Sequence, residues 1–337
     1  MNKDLPTKSV QRLDRRLCVA PMMDWTDRHC RYLHRLYAPH ALLYTEMIVS
    51  AAIVRGNAAR LLAHDAAEHP VALQLGGADP LELAAAARIG EAAGFDEINL
   101  NVGCPSDRVK SGSFGACLML RPELVAECVM RMRESTRLPV TVKCRIGVDD
   151  RDDYEFFSGF AEVVARAGIA ALIVHARTAI LAGLSPKENR EIPPLKYDYV
   201  YRLKRDHPDL PIVLNGGVVE VDTASAHFAA GLDGIMLGRA AYHRPALLAE
   251  LERALVDPDW CVPQPWQIVE RVVPYARSEL QRGARLHSIT RHLHGLIAGC
   301  AGARAWRRFL SDVASRPDAA PESLFSALSS LEKGVAA

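Results

Sequence analysis

Several features are missing from this sequence, and each absence removes a class of protein. No apolar run approaches the roughly 20 residues needed to cross a bilayer, and the opening stretch MNKDLPTKSVQRLDRR lacks the apolar centre of a secretion signal. A soluble, cytoplasmic protein with no membrane partner is expected. The cysteines, at 18, 30, 104, 117, 128, 144, 261 and 300, include no C-x-x-C pair and no His/Cys group at zinc spacing. That argues against a metal site, and as reduced thiols most of them are expected to fill the core. No G-x-G-x-x-G follows the first apolar run, which weakens an open dinucleotide-binding sheet. Charge of one sign is lacking too, since the formal net charge is only +1, and no obligate protein partner is indicated.

A local absence says more. Residues 281–310 contain no Asp or Glu, yet hold Arg282, Arg285, Arg291, Arg304, Arg307 and Arg308 with His287, His292 and His294 between them. Such a stretch reads as a basic face.

The chain of 337 residues is 49% hydrophobic, enough for one large domain and a smaller one. Eight short apolar runs read as strands: LCVAPM (17–22), ALLYTEM (41–47), VALQLG (71–76), EINLNVG (97–103), VTVKCRIG (140–147), ALIVHAR (171–177), IVLNGG (212–217) and GIMLGR (234–239). Helical patterns such as PLELAAAARIGEAAG and DYEFFSGFAEVVARAG lie between them, each ending at a glycine suited to a left-handed cap. Eight strands alternating with helices predict an α/β protein built as a (β/α)8 TIM barrel, with a smaller all-helical C-terminal domain. The boundaries expected are 12–255 for the barrel and 262–333 for the helical domain.

In such a barrel the strand C-terminal ends converge on one face. The residues arriving there are Met22 and Met23, Glu46, Gln74, Asn101 and Cys104, Lys143 and Arg145, His175 and Arg177, Asn215 to Gly217, and Gly238 with Arg239. A buried Lys or Arg is costly unless paired or serving a ligand. Asn215, Gly216 and Gly217 after strand seven, and Gly238 with Arg239 after strand eight, stand where barrels commonly hold phosphate. Arg239 can add a charge-assisted clamp. The PMMD turn offers soft apolar side chains for a flat ring, with Gln74 and Lys143 as donors to its heteroatoms. A planar cofactor with a phosphate tail, FMN, satisfies these features together.

The stretches APMMDWTDRHCR, LNVGCPSDRV, SFGACLM, VTVKCRIGVDD, HAR…GLSPKENREIPPL and NGG resemble those of the tRNA-dihydrouridine synthases. The SPKENREIPPL loop and the GARAWRRFLS tail look most like the A-type branch, which reduces uridines 20 and 20a in the D-loop of tRNA. The resemblance runs from about Leu17 into the C-terminal region. It implies a flavin barrel followed by a helical tRNA-binding domain, with NADPH (or NADH) reducing FMN. Hydride then passes to carbon six of uracil while a cysteine protonates carbon five. Carried over position by position, the proton donor falls on Cys104. The flavin contacts fall on Pro21, Met22, Met23, Gln74, Lys143, His175, Asn215, Gly216, Gly217, Gly238 and Arg239. Asn101, Lys187, Arg190, Arg304 and Arg307 fall on tRNA-orienting positions.

The residue chemistry agrees. A general acid must hold its proton at working pH and still release it, and a thiol with a pKa of roughly 8.5 does both. Pro105 helps end the strand, and Gly112 and Gly115 suggest a mobile lid behind Cys104. Cys117, set before the apolar LML, reads as structural. The loop over residues 178–197 is long for a barrel loop, which suggests that Lys187 and Arg190 meet phosphates. The acidic run DDRDDYE reads as helix N-terminal charge without a catalytic role. The alternatives are an FMN-dependent TIM-barrel reductase of a small pyrimidine or enone, a Schiff-base aldolase using Lys143, and a non-catalytic RNA-binding scaffold. The basic stretch disfavours the first, and Cys104 and the PMM patch would have no task in the second.

Overall fold

The structure, a computed structural model, describes residues 13–106, 114–312, 316 and 318–335. The lid expected around Gly112 falls within 107–113, outside the described residues.

Nine strands run parallel: β1 (Leu17–Val19), β2 (Leu42–Tyr44), β3 (Ile48–Val49), β4 (Val71–Gly76), β5 (Glu97–Val102), β6 (Val140–Arg145), β7 (Leu172–His175), β8 (Ile212–Asn215) and β9 (Gly234–Leu237). Their order is β2-β1-β9-β8-β7-β6-β5-β4-β3, and a further β2–β4 pairing closes eight of them into a barrel. The closing seam joins the first strand to the last, with Leu17 opposite Ile235 and Val19 opposite Leu237.

One strand departs from expectation. The run 41–47 does not continue past Tyr44, and the chain pairs again only as β3, beside the end of β4. Thr45 explains the break, because its hydroxyl accepts the Gln74 N–H at 3.0 Å and donates to the Glu46 carbonyl at 2.8 Å. A side chain thus takes the place of a ladder carbonyl.

Alternation along the strands sorts the side chains into two layers. Those facing outward join one large apolar cluster under the helices. Those facing inward divide by chemistry. Cys18, Leu42, Tyr44, Ile173, Val213 and Met236 belong to a separate apolar cluster, while β4, β5 and β6 supply buried Gln74, Glu97, Asn99, Asn101 and Thr141.

The helices begin and end as their sequences dictate. Asp79 caps Pro80–Ala92 by accepting from the N–H groups of Leu81 and Glu82, and Asp153, in the acidic run, caps Tyr154–Arg166 through Phe156 N–H. Both stop just before a glycine at positive φ, Gly94 at 98° and Gly168 at 84°.

Beyond the barrel follow Pro265–Gln281, Leu286–Thr290, Ala303–Asp312 and Ser323–Val335. Trp306 is fully buried among them, its indole N–H donating to the Leu293 carbonyl at 2.8 Å. Tyr275 stacks on Tyr32 of the barrel helix Arg28–Tyr37, ring centroids 3.7 Å apart. No described helix is long and apolar enough to cross a membrane.

Two expectations need correction. Only four of the cysteines, 18, 30, 128 and 144, are buried, and Cys261 and Cys300 are exposed. The basic stretch is also not one face. Arg291 turns inward to Asp27, Arg282 pairs with Glu279, and His292 is buried. Arg285, Arg304, Arg307 and Arg308 remain exposed and form no ion pair among the described residues.

Candidate active site

The C-terminal ends of the strands surround a cavity of about 580 Å³, within the range of small-ligand sites. Residues from both ends of the barrel sequence meet in its wall. Pro21, Met22 and Met23 come from the β1 loop, Gln74 from β4, and Lys143 and His175 from β6 and β7. Asn215 ends β8 and Gly216 and Gly217 follow it, and Gly238 and Arg239 enter after β9. Asn101, Cys104 and Arg190 complete the convergence. Lys187 is exposed on the loop nearby, and Arg304 and Arg307 lie exposed on Ala303–Asp312; none of these three lines the cavity.

Cys104 is half-buried on the turn after β5. Its N–H donates to Asn101 Oδ1 at 3.0 Å, its carbonyl accepts the Ala116 N–H at 2.9 Å, and its Sγ lies 3.4 Å from Ser106 Oγ. The thiol is therefore held on a braced turn, facing the cavity. Cys117 differs as expected. Its Sγ donates to the Phe114 carbonyl at 3.1 Å, and burial pushes the thiol pKa up.

The facing wall is cationic. Lys143 donates to Asn215 Oδ1 at 2.9 Å, which leaves two of its N–H bonds for a ligand. Burial, with Arg145 close by, brings its ammonium down to about 8. Burial, then the charges of Arg145 and Lys143, hold His175 well below the usual imidazole range, so its ring is neutral. Neither ring nitrogen of His175 has a hydrogen-bond partner among the described residues. The chain turns past this ring on Gly216 (φ 109°) and Gly217 (φ 76°). A Cβ on Gly216 would come within 2.8 Å of His175, and one on Gly217 within 2.1 Å of the Tyr197 hydroxyl, so only glycine fits.

Arg239 sits at the cavity edge, where its guanidinium donates to Glu191 Oε1 at 2.5 Å and to the Arg190 carbonyl at 3.3 Å. The clamp foreseen for an anion thus holds a carboxylate of the loop over residues 178–197. That loop contains one short 3-10 turn, Glu188–Arg190.

Arg145, which the sequence marks only as a strand-end charge, has a place of its own in the site. Arg145 is 3% exposed and has no carboxylate partner among the described residues. Its Nε donates to the Gly103 carbonyl at 3.0 Å, and its Nη1 to the carbonyls of Thr178 and Asn189 at 3.0 and 2.9 Å. The guanidinium ties the turn of Cys104 to the loop of Arg190. Trp25 is a further residue of the site. It lines the cavity and stacks on Tyr242, centroids 4.4 Å apart.

The cavity combines a half-buried thiol, an apolar rim at Met22 and Met23 and an excess of cations. The family model described as Dihydrouridine synthase (Dus) matches residues 18–332. The chain belongs to the dihydrouridine synthase family. Among curated proteins, it is 55% identical over 316 residues to a tRNA-dihydrouridine(20/20a) synthase of Xanthomonas campestris, covering 94% of this chain and 93% of the relative. A protein of the same name from Shewanella oneidensis is 52% identical over 310 residues, 92% of each chain. One from Pseudomonas putida is 54% identical over 297 residues, 88% of each. Among solved structures, a 2-naphthoyl-CoA reductase complex is similar with a TM-score of 0.56 at 11% identity, over 73% of this chain and 52% of that one. At that identity the likeness speaks for the fold alone. Dihydrouridine synthase membership makes the chain an enzyme of oxidoreductase type.

Proposed function

We propose that this protein reduces uridine to 5,6-dihydrouridine in the D-loop of tRNA, at positions 20 and 20a, using FMN reduced by NADPH or NADH. The reading rests on one juxtaposition: the Cys104 thiol shares a cavity with Gln74, Lys143 and His175, and the remaining N–H bonds of Lys143 and the ring nitrogens of His175 suit a planar cofactor. The residues present fit FMN. Met22 and Met23 offer an apolar surface for its ring, Lys143 a cation for its electron-rich edge, and Asn215 to Gly217 with Gly238 and Arg239 a close-approach cradle for its phosphate.

When bound, reduced flavin supplies the hydride for carbon six of the uracil. Cys104 supplies the proton for carbon five. The thiolate left behind faces the positive charges of Lys143, Arg145 and Arg190, which stabilise it until solvent returns a proton. A uridine must leave its stack to reach this depth. Asn101 and Arg190, with Lys187 outside, are placed to orient it, while Arg304 and Arg307 hold the RNA backbone. The same reading divides the labour between a flavin barrel over 12–255, with residue 12 outside the described ones, and a helical RNA-holding region over 262–333. A tRNA substrate places the work in the cytoplasm. A reductase of small molecules would leave Arg285, Arg304, Arg307 and Arg308 without a purpose.

The test is a visible spectrum of the purified protein, taken before and after NADPH and then, without oxygen, after unmodified tRNA. A flavin band that bleaches with NADPH and returns only with tRNA is expected. A protein that stays colourless when FMN is supplied would remove the reading.

A further inference from the structure

The barrel interior holds a line of side chains that ends at Gln74 and Asn101 and begins among residues to which the reaction assigns no task. Arg15 Nε and Nη2 donate to Glu97 Oε2 at 2.9 and 2.6 Å. Glu97 Oε1 accepts from the hydroxyls of Tyr44 at 2.7 Å and Thr141 at 2.6 Å. Thr141 Oγ1 accepts from Asn99 Nδ2 at 2.9 Å, Asn99 Oδ1 from Gln74 Nε2 at 2.7 Å, and Gln74 Oε1 from Asn101 Nδ2 at 2.8 Å. Asn101 Oδ1 in turn accepts the N–H groups of Gly103 and Cys104 at 3.1 and 3.0 Å. Glu97 opens β5 and Asn101 lies near its end, so the line runs through the barrel from one face to the other.

Every donor in it points toward Glu97. A carboxylate gripped by a guanidinium only accepts. Thr141 has one hydroxyl proton, and having given it to Glu97 it must accept from Asn99. A side-chain amide carries its oxygen on one branch and its nitrogen on the other, so Asn99, Gln74 and Asn101 are each turned by the one before. The far end agrees, because the N–H groups of Gly103 and Cys104 only donate, and they meet an oxygen.

We propose that Glu97 is a positioning residue for the dihydrouridine reaction: through this one-way line it fixes the facing of the Gln74 and Asn101 amides, and with them the turn that carries Cys104. The inference rests on Cys104 as proton donor and Gln74 as flavin contact.

Glu97→Gln tests it. The new amide keeps its oxygen toward Arg15, whose guanidinium repels an NH2, and so turns its nitrogen toward Thr141. Thr141, whose proton Glu97 no longer takes, then either accepts from both neighbours and leaves that proton unmet, or donates to Asn99 and passes the reversal along the line until one N–H confronts another. Adding Asn99→Asp removes the conflict. Asp at 99 accepts from Thr141 on one oxygen and from Gln74 on the other, so Gln74 and Asn101 regain their facing. It gives back neither the ion pair of Arg15 nor the acceptor of the Tyr44 hydroxyl.

The full-length protein is treated with iodoacetamide, and the rate of Cys104 modification is read by peptide mass spectrometry, with exposed Cys261 and Cys300 as internal controls. Melting temperature and the kcat and KM for tRNA reduction are read alongside. Glu97→Gln is expected to change the Cys104 rate and lower kcat about tenfold or more, the factor for one buried donor left facing another. The double variant is expected to recover both while still melting low. A Glu97→Gln protein that only melts low, or a double variant no better than the single one, makes Glu97 merely the partner of Arg15 and overturns the proposal. Should Glu97→Gln not fold, the double variant decides: native-like Cys104 reactivity upholds the proposal, and altered reactivity or failure to fold overturns it. Alkylation needs no RNA, so a native protein inactive on tRNA would sink the functional reading while leaving this comparison intact.

Discussion

The carboxylate of Asp27 and the guanidinium of Arg291 are 264 positions apart in the chain and 2.6 Å apart in the fold. Asp27 also caps the helix Arg28–Tyr37, accepting the N–H groups of His29 and Cys30, and lies 3.0 Å from His292 Nε2. Burial alone would raise its pKa, but the hydrogen bond and charge of His292, with Cys30 N–H and Arg291, hold it well below the usual range. Asp27→Ala should cost about 2 kcal/mol or more, from a lost cap and a broken ion pair. Asp27→Asn, which keeps the cap, should cost less. Urea denaturation of both variants checks the order. Because the folded pKa is depressed, the contribution is full above the unfolded value of about 3.9 and is lost as pH falls below it.

Acid should weaken the protein well before its carboxylates are titrated. Burial holds His29 at about 4 and His34 at about 3, whereas an unfolded imidazole takes a proton near 6.5. Both therefore stabilise the fold fully above about pH 6.5 and lose that contribution as pH falls below it. By pH 5 the loss is about 1–2 kcal/mol for each. A melting temperature that stays level from pH 7.5 to 5 would contradict this.

Cys104→Ala should retain bound FMN and affinity for tRNA while dihydrouridine formation falls by about two orders of magnitude or more, the effect of losing a positioned general acid. Flavin absorbance, filter binding and nucleoside mass spectrometry read the three separately. Native turnover in the variant would move the proton donor elsewhere.

Replacing Arg304 and Arg307 together by Ala should weaken tRNA binding and lower the slope of log K against log salt by about 2, one per lost phosphate contact. NADPH oxidation by the flavin should be unaffected. An unchanged slope would take the helix Ala303–Asp312 out of the RNA interface.

Asn215 and Arg145 show what could and could not be read from the sequence. The strands from β4 to β9 follow their apolar runs closely, because each is bounded by a glycine, a proline or a helix cap that leaves its mark in the letters. Asn215 and its two glycines could be placed for the same reason. Arg145 could be seen at a strand end, but its acceptors are backbone carbonyls of Gly103, Thr178 and Asn189, and a carbonyl has no sequence signature. Arg291 misled in the opposite way. Among arginines without nearby acids it looks exposed, and only the fold brings Asp27 to it. The early end of β2 depends on the Thr45 hydroxyl meeting Gln74 N–H, a tertiary contact that periodicity does not encode.

The seam between β1 and β9 sets a schedule for biosynthesis. Leu17 has its partner Ile235 only after the ribosome has added more than two hundred further residues, a wait of roughly 10 to 40 s at ordinary rates of synthesis. Until then Met22 and Gly238, which meet side by side in the wall of one cavity, belong to separate ends of an unclosed sheet. The nascent chain therefore has no complete cavity, and whatever ligand that cavity takes must wait for the last strand.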